Sequence, residues 1–112
     1  MHHAQRWIAL PQNGSFVLTD IRDIMYCEAD GNYTMIFLKN GGKYLACRKL
    51  GDVEKLLPAT CFVRIHHAHL VNLCHVRKYH KGDGGQVELR NGIKLDVSRR
   101  KKQGFMERLI VV

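Results

Sequence analysis

Turn signals recur about every ten residues through much of this chain, and this spacing limits the length of any strand or helix. The signals are Asn-Gly pairs and glycine clusters at 11–14, 30–32, 40–42, 82–85 and 91–92. Between them lie short apolar or alternating runs, which are typical of strands joined by hairpin turns. The pattern predicts strands at 6–10, 15–19, 24–30, 33–39, 43–47, 76–81, 86–90 and 93–97. We therefore expect a mainly β fold.

Two segments have helical spacing instead. Leu50, Val53 and Leu56 fall on one helical face, and Pro58 follows as a stop signal. A second helix is predicted to begin at Ser98, which is a favourable N-cap residue. Its apolar positions are predicted to form one continuous stripe: Phe105, Met106, Leu109 and Ile110.

Positive charge is concentrated in one part of the chain. The net charge is +8, and residues 64–102 hold ten Lys or Arg against three Asp or Glu, a net +7. This asymmetry favours a polyanionic partner, with nucleic acid first and an acidic membrane or protein surface second. Arg99, Arg100, Lys101 and Lys102 fill the first turn of the second predicted helix. Cations are unfavourable at this end of a helix, so the turn is predicted to bind an anion; the alternative is a solvated charged turn.

The sequence does not indicate an enzyme. It has no phosphate-binding loop, dinucleotide fingerprint or nucleophile elbow, and the glycines at 82–85 are interpreted as a hairpin loop. No cofactor is predicted. No run approaches about 18 apolar residues and no secretory signal is evident, so a cytoplasmic location is expected. The cysteines are interpreted as reduced, buried thiols: Cys27, Cys47, Cys61 and Cys74.

The segment 61–75 allows another interpretation because it is rich in His and Cys. Cys61, His66, His69 and Cys74 form the pattern C-x4-H-x2-H-x4-C, although zinc sites usually have more closely spaced ligands. The imidazoles can instead hydrogen-bond phosphates or pack at a turn. A zinc-binding or protein-interaction module using residues 61–75 therefore remains the alternative to a nucleic-acid-binding domain, and no metal ligand is assigned.

Three segments resemble one family. Residues 24–34, IMYCEADGNYT, resemble the I-x-Y-x-E-A-x-G-N-Y-x opening of LytTR-type DNA-binding domains. Residues 64–73, RIHHAHLVNL, resemble that family's R-I-H-R-S-H-L-V-N signature, and residues 97–100 match its V-S-R-R close. The motifs occur in the family's order. We therefore expect residues 1–112 to form a single LytTR-like domain with a core at about 6–109 and no receiver domain.

The resemblance implies an elongated antiparallel β-structure of small stacked sheets with short helices. It implies sequence-specific binding of double-stranded DNA by a bacterial transcription regulator, usually as the output domain of a two-component response regulator. Members of the family insert loops into successive major grooves, bend the DNA and bind paired direct repeats. Expected partners are therefore direct-repeat promoter DNA, a second copy on that DNA, and a receiver domain in cis or an upstream sensor kinase; no membrane partner is expected. An RNA-binding regulator is a further alternative, because Tyr33 could stack on a base.

The resemblance also assigns roles to residues. Tyr33 and Arg99 are the expected base-reading residues, with Asn32 beside Tyr33. The expected contacts to the DNA backbone, or supports for the loops, are Thr34, Arg64, His67, His69, Arg100, Lys101 and Lys102. Two positions depart from the family pattern, because His67 replaces the common Arg and Ala68 the common Ser. A neutral imidazole and a methyl group are weaker phosphate partners, so we expect this contact to be weaker or to need a protonated His67.

Overall fold

The computed structural model describes residues 7–112, whose ten strands form three antiparallel sheets. The strands are β1 Trp7–Gln12, β2 Ser15–Asp20, β3 Ile24–Asp30, β4 Tyr33–Leu38, β5 Lys43–Ala46, β6 Phe62–His66, β7 His69–Asn72, β8 Val76–His80, β9 Gln86–Leu89 and β10 Lys94–Asp96. Helix α1 spans Leu50–Leu56 and α2 spans Arg99–Met106, with short 3-10 turns at Ile21–Asp23 and Leu73–His75. The prediction of a mainly β fold with small sheets and short helices is confirmed.

The central sheet has the order β5-β4-β3-β7-β6, and apolar side chains cover both of its faces. One face packs against α1 and the β1–β2 hairpin through Leu10, Ile21, Ile24, Cys27, Ile36, Leu50, Val53, Leu57, Phe62 and Leu70. The other face packs against the β10-β9-β8 sheet and α2 through Met25, Tyr26, Val63, Ile65, Val71, Val87, Leu89, Leu95, Val97 and Phe105. Because the core occupies both faces, a partner of this sheet can reach it mainly at the strand ends and turns.

The turn signals predict the first hairpin well. Asn13 and Gly14 alone connect β1 to β2, with φ values of +37° and +80°. Positive φ at both turn residues matches the type I′ turn that Asn-Gly pairs favour. The strand extends through Pro11 and Gln12, which the sequence interpretation placed in the turn. Residue 6, the predicted start of this strand and of the domain core, lies outside the described residues.

No strand was predicted in the His-rich segment, yet β6 and β7 form a hairpin there and complete the central sheet. Ile65, Leu70 and Val71 are fully buried, so these apolar residues of the segment face inward. Polar residues interrupt the alternation that normally indicates a strand. Their hydrogen bonds are made mainly within the hairpin and to neighbouring elements, so local sequence does not reveal them.

The predicted stripe on the second helix is wrong beyond Met106. Phe105 is buried, but α2 ends at Met106, and Leu109 and Ile110 are 38% and 95% exposed. The backbone leaves α-helical geometry here, since Arg108 N donates to Phe105 O and Leu109 N donates to Met106 O. These bonds span three residues instead of four, so the helical spacing no longer applies.

The interpretation of four buried thiols is also wrong, although all four cysteines are unpaired. Cys27 is buried, and burial raises the pKa of its thiol to about 12. Cys47 and Cys74 are exposed because they lie after the end of β5 and within a 3-10 turn, and Cys61 is half-buried.

Among residues 7–112, no helix is both long and apolar enough to cross a membrane.

Glu88 is a buried carboxylate in β9, the middle strand of the β10-β9-β8 sheet. Arg77 donates to one of its oxygens, and His80 Nε2 lies 2.7 Å from the other. The Arg77 contact first, and the His80 contact second, lower the pKa of Glu88 to about 2. A carboxyl group with a lowered pKa contributes stability above its ordinary pKa, and this contribution is lost as the pH falls toward the folded-state value.

We therefore expect Glu88→Gln to reduce the acid sensitivity of folding. The free energy of unfolding of the parent should fall between about pH 5 and pH 2, and the variant should show a shallower fall. Denaturant unfolding at several pH values measures both slopes, with Glu107→Gln, at an exposed position, as the control. Equal slopes for the parent and Glu88→Gln would contradict the assignment.

Candidate nucleic-acid interface

Several connecting segments meet at one end of the central sheet. Strands β3, β5 and β6 run in the same direction, so the residues that follow them emerge at the same end of the sheet. Ala29 N donates to Ala68 O at 2.8 Å and joins the β3–β4 and β6–β7 turns. Ser98 N donates to Ile65 O at 2.8 Å and brings the start of α2 to the same place. We call this region, residues 31–34, 48–49, 64–69 and 98–102, the loop end.

The β3–β4 turn presents two of the predicted base-reading residues. Asn32 is exposed, and Tyr33 is 47% exposed at the first position of β4. Thr34 is fully buried, and its hydroxyl donates to the Arg48 carbonyl at 2.8 Å. Thr34 therefore supports the turn from below, whereas Asn32 and Tyr33 are accessible to a partner.

Arg64 holds the β6–β7 turn in shape. Its Nε donates to His66 O at 2.9 Å, and its Nη2 donates to His67 O at 2.6 Å. Its Nη1 donates to Glu54 Oε1 of α1 at 3.0 Å. The guanidinium is thus bonded within the protein through all three nitrogens, and its geometry fits a support for the loop.

Three histidine rings cluster at this turn but differ in accessibility. The His66 ring lies 4.3 Å from that of His67 and 5.8 Å from that of His69. His66 Nδ1 accepts from Ala68 N, and burial, then His67 and His69, lower the pKa of His66. His69 is half-buried, with Nε2 3.2 Å from Glu28 Oε1. His67 is the exposed member of the cluster.

The first turn of α2 carries the predicted cations. The Ser98 hydroxyl accepts from Lys101 N at 3.2 Å, which confirms the predicted N-cap. Arg99, Arg100 and Lys101 are exposed, whereas Lys102 is half-buried and its Nζ donates to Gly82 O at 3.2 Å. No acidic residue lies in this turn of the described helix. Arg100 and Lys101 line a small concavity together with Arg64, His67 and Ser98.

A glycine loop fixes the position where α2 starts. The 82–85 loop joins β8 to β9, as predicted, and it also packs against the residues that precede α2. Val97 N donates to Gly85 O at 2.9 Å. A Cβ on Gly84 would lie 1.8 Å from Val97 O, far inside contact distance. Gly84 therefore permits the close backbone approach that places Ser98 and Arg99 at the loop end.

The proposed zinc ligands do not converge. Cys61 and Cys74 flank the open end of the β6–β7 hairpin, whereas His66 and His69 flank its turn. At about 3.3 Å per strand residue, the two pairs are separated by roughly 15 Å. Within residues 7–112, no group of three or more His, Cys, Asp or Glu side chains is arranged to hold a metal ion. The geometry therefore gives the zinc alternative no support.

A mainly β domain that gathers cations and exposed polar side chains at its loops belongs to a class suited to nucleic-acid recognition. A family model described as "LytTr DNA-binding domain" matches residues 14–110. The chain therefore belongs to the LytTr DNA-binding domain family.

Relatives and a solved structure agree with this membership. The chain is 37% identical over 57 residues to "Heme-containing CO-sensing transcriptional regulator RcoM 2" of Paraburkholderia xenovorans, covering 51% of this chain and 21% of that protein. It is 32% identical over 95 residues to "Sensory transduction protein LytT" of Bacillus cereus, covering 82% of this chain and 38% of that protein. The chain thus spans well under half the length of these relatives. Its fold matches the LytTr DNA-binding domain of a putative methyl-accepting/DNA response regulator from Bacillus cereus, with a TM-score of 0.81, 20% identity, and coverage of 94% of this chain and 97% of that chain.

The close approach at Gly84 predicts opposite effects for two glycine substitutions. Gly84→Ala should lower the free energy of unfolding by about 1–3 kcal/mol, because the added methyl group pushes against Val97 O. Gly104→Ala, in α2 with open space around it, should raise this free energy by about 1 kcal/mol through higher helix propensity. Denaturant unfolding of both variants measures the difference. A stable Gly84→Ala variant would show that the loop does not constrain the start of α2.

Proposed function

We propose that residues 1–112 form one domain, with its core at about 6–109, that binds specific double-stranded DNA sequences for a bacterial transcription regulator. The observation that carries this proposal is the match to the LytTr DNA-binding domain over residues 14–110, combined with a loop end rich in exposed cations. Transcriptional regulators are among the relatives, which supports the same role.

The loop end suggests how the sequence is read. Arg99 is suited to a guanine edge, which accepts two hydrogen bonds from a guanidinium. The Asn32 amide and the Tyr33 hydroxyl can bond to base edges from the neighbouring turn. Exposed amide and hydroxyl groups of this kind are common base-reading groups. The start of α2 and the β3–β4 turn would enter successive major grooves and bend the DNA.

Other residues of the loop end would hold the backbone of the DNA. Arg100, Lys101 and the remaining donors of Lys102 are available for phosphates at the positive end of α2. Thr34, Arg64 and His69 would support the loops, and the exposed His67 would face the backbone of the DNA. The burial of Thr34 and the protein hydrogen bonds of Arg64 support this division of roles.

The wider context belongs to the same proposal. The DNA sites would be paired direct repeats in promoters, and two copies could bind them together. The regulator would work in the cytoplasm and not as an enzyme, with a receiver domain in cis or a sensor kinase upstream when it is part of a two-component system. LytT, one of the relatives, is named as a sensory transduction protein.

Selection of bound sequences from a random pool of DNA duplexes tests the proposal directly. We expect enrichment of one motif in repeated copies. Competition with single-stranded RNA tests the RNA alternative, and elemental analysis for stoichiometric zinc tests the metal alternative. Failure to enrich any duplex sequence, or preferential binding of RNA, would overturn the proposal.

Two variants of α2 should separate base reading from phosphate binding. Arg99→Ala should cost about 1–3 kcal/mol on the selected duplex and relax the preference at one base pair. Lys101→Ala should weaken binding of selected and random duplexes equally. It should also lower the salt slope, which is the steepness with which the logarithm of the binding constant falls against the logarithm of the salt concentration, by about one. Lys43→Ala, at the start of β5 and the opposite end of the sheet, is the control. If both α2 variants bind like Lys43→Ala, DNA does not contact this turn.

His67 contributes an exposed imidazole beside Arg100 and Lys101. We expect His67→Ala to weaken binding of selected and random duplexes alike, because imidazole nitrogens can hydrogen-bond phosphates. Titration of both duplexes with the parent and the variant measures the change. An unchanged affinity in the variant would remove His67 from the contact.

A further inference from the structure

The link between β5 and α1 brings two more cations to the loop end. Arg48 and Lys49 are both exposed, and they lie outside the three sequence motifs. The position of this link is fixed from inside the protein, because the buried Thr34 hydroxyl donates to the Arg48 carbonyl at 2.8 Å. Thr34 follows Tyr33 directly, so a single buried side chain connects the β3–β4 turn with the 48–49 link.

The side chains of both cations are free to contact a partner in the part of the chain that the structure describes. Within residues 7–112, the Arg48 and Lys49 side chains make no hydrogen bond or ion pair, in contrast to the guanidinium of Arg64 with its three protein acceptors. Both residues line a groove between the β1–β2 hairpin and α1, and Asn32 lines it too. Asp52 is the one carboxylate among the described residues that line this groove.

We propose that Arg48 and Lys49 bind backbone phosphates of the DNA beside the β3–β4 turn, and that Thr34 is the positioning residue for this contact. The inference rests on the proposed DNA-binding function and extends its surface to a segment of the chain whose charge is nearly balanced. It assigns the polar residues Asn32, Arg48 and Lys49 of this otherwise largely apolar groove to the sugar-phosphate backbone of duplex DNA.

The dimensions of duplex DNA fit this placement. The major groove is about 12 Å wide, so a side chain at its centre has phosphates about 6 Å to either side. Neighbouring strands lie about 5 Å apart, and β5 is paired directly with β4, with Ala46 opposite Thr34. When the β3–β4 turn enters the major groove, the residues after β5 therefore lie to one side of this turn. Their distance from it is about that from the centre of the groove to a phosphate.

The test uses the full chain and the duplex selected by the parent protein. Each lost phosphate contact lowers the salt slope by about 0.9, so Arg48→Gln with Lys49→Gln should lower it by about 1.8. The affinity difference between the parent and the double variant should then shrink by about 12-fold between 50 and 200 mM salt. The base preference should not change. Lys43→Gln, exposed at the start of β5 and so at the far end of the sheet, is the matched control.

Asp52 supplies a test of the opposite sign. Asp52→Asn removes the negative charge from the groove, so we expect tighter binding to selected and random duplexes alike. Weaker or unchanged binding would argue against a phosphate near this groove.

The role of Thr34 is tested by comparing a variant that lacks its hydroxyl with one that keeps it. Thr34→Val removes the bond to the Arg48 carbonyl while keeping the shape of the side chain, and Thr34→Ser keeps the bond. We expect Thr34→Val to lower the salt slope toward that of the double variant and Thr34→Ser to retain the parental slope. Thermal unfolding of each variant shows whether it is folded at the binding temperature. If Thr34→Val is unfolded, the double variant decides the phosphate contact, and a salt slope of Thr34→Ser below that of the parent would contradict the role of the Thr34 hydroxyl.

The outcomes separate this inference from the function on which it rests. If the parent selects no duplex sequence, the proposed function fails. If the parent selects a motif but the double variant keeps the parental salt slope and affinity, DNA binding stands and the 48–49 contact is wrong. If the double variant loses base preference instead of salt dependence, these residues read sequence and the phosphate assignment is overturned.

Discussion

Ser98 joins the two halves of the loop end through two hydrogen bonds. Its amide donates to Ile65 O in the central sheet, and its hydroxyl accepts from Lys101 N in α2. The first bond fixes where α2 begins relative to the β6–β7 hairpin, and the second fixes which way its first turn points. A helix N-terminus that crowds four cations needs such a fixed origin, because their repulsion would otherwise favour fraying. The glycine loop at 82–85 supplies the space for that origin.

Burial on both faces of the central sheet explains why the candidate site lies at its end. The two cores cover most of both sheet faces, so side chains that bind a partner come mainly from turns and strand ends. Such segments have exposed polar groups and can differ in sequence without changing the core. The rigid sheet then holds several short segments at fixed spacing, which recognition of a regular polymer such as duplex DNA requires.

Much of the fold could be predicted from local signals, and the failures share a cause. The Asn13-Gly14 turn and the Ser98 N-cap follow rules that depend on a few neighbouring residues. The β6–β7 hairpin was missed because its polar residues, such as Arg64, find their partners through the folded hairpin and α1. For the site, the motifs selected Tyr33, Arg99 and their neighbours, and the structure shows which of the predicted residues are exposed. The nearness of residues 48–49 to the β6–β7 turn was missed, because it depends on the order of all five strands in the central sheet, of which β6 and β7 were not predicted.

The cationic first turn of α2 has a consequence for the free protein. Without DNA, the charges of Arg99, Arg100, Lys101 and Lys102 repel one another and the helix terminus, and dissolved ions screen that repulsion. The same ions compete with the protein for phosphates. Rising ionic strength should therefore act in opposite directions, stabilising the unbound fold while weakening the complex. The turn proposed to bind DNA is thus a local source of instability, which a bound polyanion would relieve.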